Sequence, residues 1–314
     1  MRHRVTRYQA GDLERQYSRL HVHEDFFINY GFVTDRVFRL MHPRTGQDPW
    51  SAARGRHVKD LLEFIRLRGP VHPRQVDDHF SLGTVTNYWG GSSNATTRLL
   101  DAMHYRGLLR VVRRDRGVKV YGLHERAADR LSARERRSRV DALVDVVVNV
   151  YAPLPAASLS SVVGRLRYAV PQWSDELAAA LQRARERLAH AHVDGVNWYW
   201  PTGETPGATE PDDTVRLLAP FDPVVWDRRR FELLWNWPYR FEAYTPVSKR
   251  RWGYYALPLL WRDRVIGWAS ASVTGRVLSV DVGYVAGRPP RDRGFRQALA
   301  AERARLAAFL GVAD

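Results

Sequence analysis

Basic residues cluster in two parts of the sequence, and in the second part they alternate with aromatic residues, a combination that suits contact with a nucleic acid. The first part is the run 108–126, in which basic side chains outnumber acidic ones around Gly117. The second is 217–255, where Tyr239-Arg240-Phe241 and Lys249-Arg250-Arg251-Trp252 interleave the two types. A guanidinium pairs with phosphate, and a flat ring stacks on a base or wedges into a groove. By spacing alone, a sheet core with a basic outer face is an equal alternative.

The start of a predicted helix before the first run adds polar candidates. Ser92, Ser93 and Asn94 precede this helix, whose unpaired N–H groups attract phosphate, although the same residues could serve only as caps. The predicted nucleic-acid-binding residues are Ser93, Asn94, Thr97, Arg98, Arg113, Arg114, Arg116, Lys119, Arg228, Arg230, Arg240, Lys249, Arg250, Arg251, Trp252 and Tyr254.

Other candidate chemistry has less support. Glu24, Asp25 and Asp222 could act as general acids or bases, but nothing in the sequence pairs them. The histidines of His21-Val22-His23 would face different sides of a helix, and His190-Ala191-His192 lacks an evident third ligand. No phosphate-binding glycine loop is present. We therefore predict no metal and no cofactor.

Composition favours a polyanionic partner. The 314 residues include 49 Lys+Arg and 34 Asp+Glu, a net charge of +15, with a pI near 10.5. Only three of the basic residues are lysine, so codon bias could account for part of the arginine excess. A pI above about 9 is typical of nucleic-acid-binding domains. With 0 cysteines, a disulfide scaffold, a thiolate zinc site and a cysteine nucleophile are excluded.

The same composition bears on location. No apolar stretch approaches the length of a membrane span, and the first residues lack the apolar core of a signal peptide. We expect a cytoplasmic, nucleoid-associated monomer that binds double-stranded DNA and no membrane.

Four blocks of sequence organise these residues. Residues 1–55 are interpreted as a helical remnant of an N-terminal module, with helices predicted at 12–20 and 24–30. In 56–130 three helices precede two β-rich runs, 108–112 and 118–123, joined by a turn at 113–117, and this order is typical of a winged helix. The first helix shows apolar residues at 58, 61, 62 and 65, the spacing of one helix face.

The second half repeats this order and then changes. Residues 131–205 predict a second winged-helix-like domain, followed by a Gly/Pro-rich linker. Residues 206–314 predict short strands, one of them at 239–244, and a helix near 295–310. The predicted fold class is α+β, with tandem winged-helix (helix-turn-helix) domains, a small antiparallel β-barrel and a C-terminal helix.

Residues in the last block also resemble a known family. The matching residues are Pro220-Phe221-Asp222, Trp226-Asp227-Arg228, Tyr239-Arg240, Glu242, Tyr244, Pro246, Lys249-Arg250, Gly253-Tyr254-Tyr255 and Leu257-Pro258. Arg68-Gly69-Pro70 and the segment 120–126 look like further landmarks. From about Tyr8 onward the chain resembles the winged-helix DNA glycosylases of the YcaQ/AlkZ type.

The resemblance implies a DNA repair activity without metal or cofactor. It implies hydrolysis of the N-glycosidic bond of bulky N7-alkylated or crosslinked purines, including interstrand crosslinks. N7 alkylation gives the base a positive charge and makes it a good leaving group. The enzyme then has mainly to hold DNA, position water and stabilise an oxocarbenium-like sugar.

One part of the family pattern is not found in its expected context. The resemblance implies a Gln–apolar–Asp or Gln–apolar–Gln catalytic motif in a first winged helix, which we expect to precede the segment matched here. The only such triplet, Gln75-Val76-Asp77, falls in the second helix of the middle domain, and Phe26 stands near an expected histidine. A misplaced start codon, a truncated gene or a diverged member would each explain this. The alternatives are a glycosylase, a non-catalytic regulatory winged-helix DNA binder, and a protein-interaction scaffold.

Overall fold

The chain folds into eleven α-helices and thirteen strands within the residues described here. The computed structural model describes residues 2–45, 50–86, 90–124, 131–205, 207 and 210–313. The helices are α1 (Asp12–Gln16), α2 (Asp35–Met41), α3 (Ala52–Arg68), α4 (Pro73–Phe80), α5 (Ala95–Tyr105), α6 (Ala133–Tyr151), α7 (Ala156–Arg165), α8 (Leu177–Arg187), α9 (Pro223–Trp226), α10 (Arg228–Trp235) and α11 (Arg293–Leu310).

The strands form small antiparallel sheets. Hairpins pair β1 (Val22–Phe26) with β2 (Tyr30–Thr34), β3 (Thr84–Thr86) with β4 (Ser92–Asn94), and β5 (Leu109–Asp115) with β6 (Val118–Leu123). A three-stranded sheet has the order β7 (Leu154–Pro155), β9 (Val196–Trp200), β8 (Ala189–Val193). A four-stranded sheet runs β10 (Val215–Leu217), β11 (Ala256–Trp261), β12 (Arg264–Thr274), β13 (Val277–Tyr284).

The N-terminal segment contains a hairpin where a helix was predicted. The helix expected at 12–20 is cut to α1 and a short 3₁₀ turn, and the helix expected at 24–30 is wrong, because β1 pairs with β2 there. Tyr30, Phe32 and Val33 are residue types that favour strands. This segment shares a core with α6–α8, in which Phe38 and Met41 are buried.

The helices α3, α4 and α5 precede the β5–β6 hairpin in the predicted order. Leu61, Leu100 and Tyr121 are buried in their common core. The three helices α6, α7 and α8 repeat this order before the β8–β9 hairpin. The division of the chain at residues 55, 130 and 205 and the identity of the two units as winged helices stay predictions.

The C-terminal sheet is open in the described part of the chain, since β10 and β13 are its unpaired edges and do not close a barrel. The strand predicted at 239–244 is absent from the described residues, because this segment is irregular and its Tyr239 hydroxyl donates to the Ala256 carbonyl at 2.7 Å. Helix α11 covers the sheet through Phe295 and Leu306. None of the helices in the described residues is both long and apolar enough to span a bilayer.

Candidate nucleic-acid interface

The β5–β6 hairpin presents two of the predicted arginines to solvent, Arg116 in the turn and Arg113, which was predicted in the turn, on strand β5. Arg116 and Gly117 have φ values of 47° and 83°, the left-handed conformation that a tight two-residue hairpin turn requires. Arg113 and Arg116 are exposed, and neither has an ion-pair partner among the described residues. Both guanidinium groups are therefore available to phosphate. Arg126, which was counted with this run, lies outside the described residues.

Two other predicted residues of this hairpin have partners within the protein. Arg114 binds the Glu24 carboxylate through Nε at 2.9 Å and Nη2 at 2.7 Å, and Glu24 is 2 % exposed. The hydrogen bond with Glu24 raises the pKa of Arg114. Lys119 Nζ lies 2.8 Å from Asp101 Oδ1 and 4.3 Å from the centre of the Tyr30 ring. These two side chains hold the hairpin against its neighbours, and their contact with DNA stays a prediction. Nothing in the sequence pointed to Glu24 as a partner.

The start of α5 is partly occupied by its own cap. The Asn94 side-chain oxygen accepts the Thr97 N–H at 2.8 Å, while its amide donates to Asp77 at 3.1 Å. Arg98 donates to the Thr86 carbonyl at 2.7 Å. Ser93 is also engaged in a contact. Asn94 therefore acts as a cap, whereas the side chains of Thr97 and Arg98 remain exposed at the helix start.

A buried carboxylate shapes the C-terminal loop that carries most of the other predicted residues. Glu242 is 4 % exposed and accepts the backbone N–H groups of Arg251 at 2.9 Å and Trp252 at 2.8 Å. The loop 242–252, which we term the interface loop, is thereby closed at its base. Lys249 and Arg251 project from it with exposed side chains, for which no partner is found in the described residues.

Arg240 precedes the interface loop, and Arg250 lies within it. Arg240 is exposed and has no partner within the described residues. Arg250 donates from Nε to the Thr245 carbonyl at 2.8 Å and lies 4.9 Å from the centre of the Tyr254 ring. Tyr254 is 60 % exposed. A cation stacked on an exposed ring suits contact with both phosphate and base.

Two predicted arginines are instead part of the fold. Arg230 is 3 % exposed and donates to the carbonyls of Tyr151 and Pro223. Arg228 donates to the carbonyl of Pro220 at 3.0 Å and stacks on a tyrosine ring. Burial lowers the pKa of both guanidinium groups. Backbone oxygens accept from both guanidinium groups, although Arg230 Nε is buried without a partner in the described residues. Contact of either residue with DNA stays a prediction.

Trp252 is likewise a packing residue. Its ring meets Trp237 edge-on at 5.4 Å and Trp268 at 6.3 Å, inside an aromatic cluster under the sheet. The ring is partly buried by neighbours distant in sequence, which spacing does not reveal. Its contact with a base stays a prediction.

Exposed rings that were not predicted gather beside the interface loop. Tyr244 is 92 % exposed, Phe221 is 62 % and Tyr255 is 45 %. All three contact Phe241, at centroid distances of 6.3, 5.5 and 5.1 Å respectively. The alternation of arginines and aromatic residues in 217–255 indicated a surface of this kind. It did not reveal which of the rings would be exposed.

One cavity lies between the hairpin segment that Arg114 contacts and this aromatic group. Arg114 binds Glu24, and the Tyr30 hydroxyl donates to the same carboxylate at 3.0 Å. Tyr30 and Phe221 both line this cavity.

The candidate acids and bases are engaged in buried ion pairs. Asp25 is 1 % exposed and accepts from His42 Nε2 at 2.6 Å and Arg44 Nη1 at 2.7 Å. Burial would raise the pKa of Asp25, but the hydrogen bond from His42 and the charge of Arg44 hold it well below its usual range. Asp222 accepts two hydrogen bonds from Arg4 and caps α9.

The Gln75-Val76-Asp77 triplet has a structural role. Gln75 Oε1 accepts the His72 N–H at 2.8 Å in a capping box, and Asp77 accepts from Thr96 Oγ1 at 2.8 Å. His23 pairs with Asp35 at 3.1 Å. In the described part of the chain, no group of three or more potential ligands is placed to hold a metal ion.

Together, the fold and these side chains define a class: mixed α/β proteins in which helices precede hairpins and a curled C-terminal sheet, with exposed cations and aromatic rings. The model of the DNA glycosylase AlkZ-like family matches residues 1–309. The chain belongs to this DNA glycosylase family, whose partner is DNA. A solved structure, Streptomyces sahachiroi DNA glycosylase AlkZ, is similar with a TM-score of 0.57 and 16% identity, covering 96% of this chain and 83% of that chain. At this identity the likeness concerns the fold.

Proposed function

We propose that this protein binds duplex DNA and hydrolyses the N-glycosidic bond of bulky N7-alkylated or crosslinked purines. The observation that carries the proposal is the set of exposed cations at Arg113, Arg116, Arg240, Lys249 and Arg251 in a chain of a DNA glycosylase family. Unpaired surface guanidinium groups gain most from phosphate, because they lose no internal partner on binding. Its site of action is then the nucleoid.

The two helix-and-hairpin units would serve as tandem winged helices. In this arrangement the start of α5, with Thr97 and Arg98, lies in the major groove while the β5–β6 turn contacts the backbone. Arg113 and Arg116 at that turn are placed to bind phosphate. The interface loop would contact the backbone at a second position and extend the footprint along the duplex.

The proposed reaction does not require a general acid to protonate the leaving base. An N7-alkylated purine carries positive charge and leaves without protonation, so the protein has to hold DNA, orient water and favour the developing sugar cation. A surface rich in exposed cations supplies the first of these functions. Electrostatic stabilisation of the sugar would require a negative or dipolar group near the bond.

A second candidate function, a non-catalytic DNA binder, is favoured by a specific observation. The carboxylates of Glu24, Asp25 and Asp222 already accept hydrogen bonds from arginines. The Gln75 side chain caps α4, and the Asp77 carboxylate accepts from the Thr96 hydroxyl. A carboxylate in an ion pair is a weak base toward water. A regulatory binder would need the interface alone.

One assay separates the two. Purified full-length protein is incubated with duplex DNA carrying 7-methylguanine or a bulkier N7 adduct, and the released base is quantified. We expect release above the spontaneous rate. DNA binding without release would support the non-catalytic binder. An absence of binding at low salt would overturn both.

A further inference from the structure

A cavity of about 630 Å³ lies between the tip of the β1–β2 hairpin, the end of α6 and the turn before α9. This volume falls in the range of sites that hold a small ring system, about 300–1,000 Å³. Its walls carry aromatic and β-branched side chains, including Phe27, Tyr30, Phe32, Val150, Tyr151 and Phe221. We term it the hairpin cavity.

The lining chemistry suits a planar ring and not a phosphate. No lysine, arginine, aspartate or glutamate is among the described residues that line the cavity, although the protein carries a net charge of +15. Asn29 is exposed at the hairpin tip, and its amide can both donate to and accept from a ring edge. A nucleobase can stack on such rings, whereas a phosphate would lose its hydration without gaining a cation.

The hairpin cavity adjoins an exposed aromatic side chain on a fixed support. Phe221 lines the cavity and contacts Phe241, which in turn contacts Tyr244. Tyr244 is 92 % exposed and sits two residues after Glu242, whose carboxylate closes the interface loop. Its neighbours Lys249 and Arg251 on that loop are free to bind phosphate.

This juxtaposition has the parts needed to take a base out of a duplex. Proteins that unstack bases insert an apolar side chain between base steps and hold the extruded base in an adjacent pocket. Cations beside the wedge hold the backbone while the duplex deforms. A wedge without a nearby pocket would only kink the DNA. A pocket without a wedge would bind only bases that leave the stack spontaneously.

We propose that the hairpin cavity receives an unstacked nucleobase and that Tyr244 fills the space the base leaves in the stack. The proposal rests on the proposed function, since it requires DNA binding, and it adds a base-binding site and a wedge residue to it. The base enters between Phe221 and the hairpin tip, with Asn29 facing its hydrogen-bonding edge.

The test uses the full chain and a duplex with a central 2-aminopurine mismatched with cytosine, because a mismatch lowers the cost of unstacking. Fluorescence of 2-aminopurine reports unstacking, and anisotropy of an end label reports binding in the same samples. We expect the 2-aminopurine signal to rise with the same midpoint as the anisotropy.

Two variants separate the wedge and the pocket. Tyr244→Ala removes the wedge, and Val150→Trp fills the cavity from a side chain that is 47 % exposed. Both should retain duplex affinity and lose the fluorescence increase, whereas Tyr244→Phe should keep it. The matched control is Val273→Trp, at a 46 %-exposed valine on β12 outside the cavity lining, which should behave as the wild type.

The outcomes distinguish this inference from the proposed function. Binding by the wild type without an increase in 2-aminopurine fluorescence would overturn the inference and leave DNA binding intact. An increase that persists in Val150→Trp, with circular dichroism showing a native fold, would also overturn the cavity as the base site. If the wild type does not bind the duplex at low salt, the proposed function fails first.

Discussion

The salt dependence of DNA binding should report the number of exposed cations that contact phosphate. Arg113, Arg116, Arg240, Lys249 and Arg251 are the predicted binding residues with exposed side chains and no partner among the described residues. Each phosphate neutralised contributes about −0.9 to the slope of log K against log salt. Five contacts give a slope of about −4.5, so affinity should fall about 500-fold between about 50 and 200 mM salt.

Removing two of these cations changes the slope by a calculable amount. In the double variant Arg240→Ala and Arg251→Ala, the slope should weaken by about 1.8, to about −2.7, and the fall in affinity over the same salt range should be about 40-fold. Fluorescence anisotropy with a labelled duplex measures both slopes. Because both side chains are exposed, the free energy of unfolding should change by less than about 0.5 kcal/mol per substitution.

Ion-paired arginines provide the control. Arg183 and Arg187 bind Asp141 and Asp145 on α6 at 2.6 and 2.5 Å, so replacing both by Ala removes the same charge from the sequence. We expect this control to keep the wild-type slope. Equal slopes for the wild type and the interface variant, or equal losses in interface and control variants, would refute the assignment of the interface loop and leave only non-specific attraction by net charge.

Three further predictions concern the scaffold. Glu242→Ala should cost about 3 kcal/mol, because two buried N–H groups lose a charged acceptor, and should weaken DNA binding; urea unfolding measures the first and anisotropy the second. Burial lowers the pKa of His42 to about 4. As the pH falls, the histidine is therefore protonated in the unfolded chain before it is protonated in the folded protein. The free energy of unfolding should fall by on the order of 3 kcal/mol as pH drops from about 6.5 toward 4. Equal stability at pH 7 and pH 5 by denaturant titration would contradict this. Gly267→Ala would place a Cβ 2.1 Å from the Gly283 carbonyl oxygen, so we expect a loss of more than about 3 kcal/mol, compared by thermal unfolding with Gly203→Ala, which has open space.

Helices with a clear apolar face were predictable from the sequence. The spacing at 58, 61, 62 and 65 predicts α3, and the β-rich runs around Gly117 predict the β5–β6 hairpin. The β1–β2 hairpin was missed because Glu24 and Asp25 are typical of a solvated helix face, yet they are buried here by cations from elsewhere in the chain. Local pattern cannot reveal a strand whose polar residues are neutralised by tertiary partners.

The same reason limits prediction of the interface. The pattern placed Arg113, Arg114 and Arg116 on one turn, but Arg114 differs from its neighbours because Glu24 lies 90 residues away in sequence and 2.7 Å away in space. Arg230 was indistinguishable from Arg240 by sequence, since its acceptors are backbone carbonyls of other elements. Residue type therefore indicates the kind of surface, and tertiary contacts decide which members of it reach solvent.

If this protein acts as proposed, binding and chemistry depend on separable residues. Exposed cations such as Arg240 and Arg251 would then act on phosphate equally before and during bond cleavage, so removing them should lower affinity and leave the rate of base release at saturating protein unchanged. Glu24 and Asp25 differ, because each neutralises a buried or half-buried arginine. Removing one such carboxylate leaves a cation without its partner at a cost of about 3–5 kcal/mol. A loss of nucleobase release in Glu24→Gln would therefore identify Glu24 as a general base only if the free energy of unfolding stays at its wild-type value. A parallel loss of nucleobase release and of stability would assign Glu24 to the scaffold.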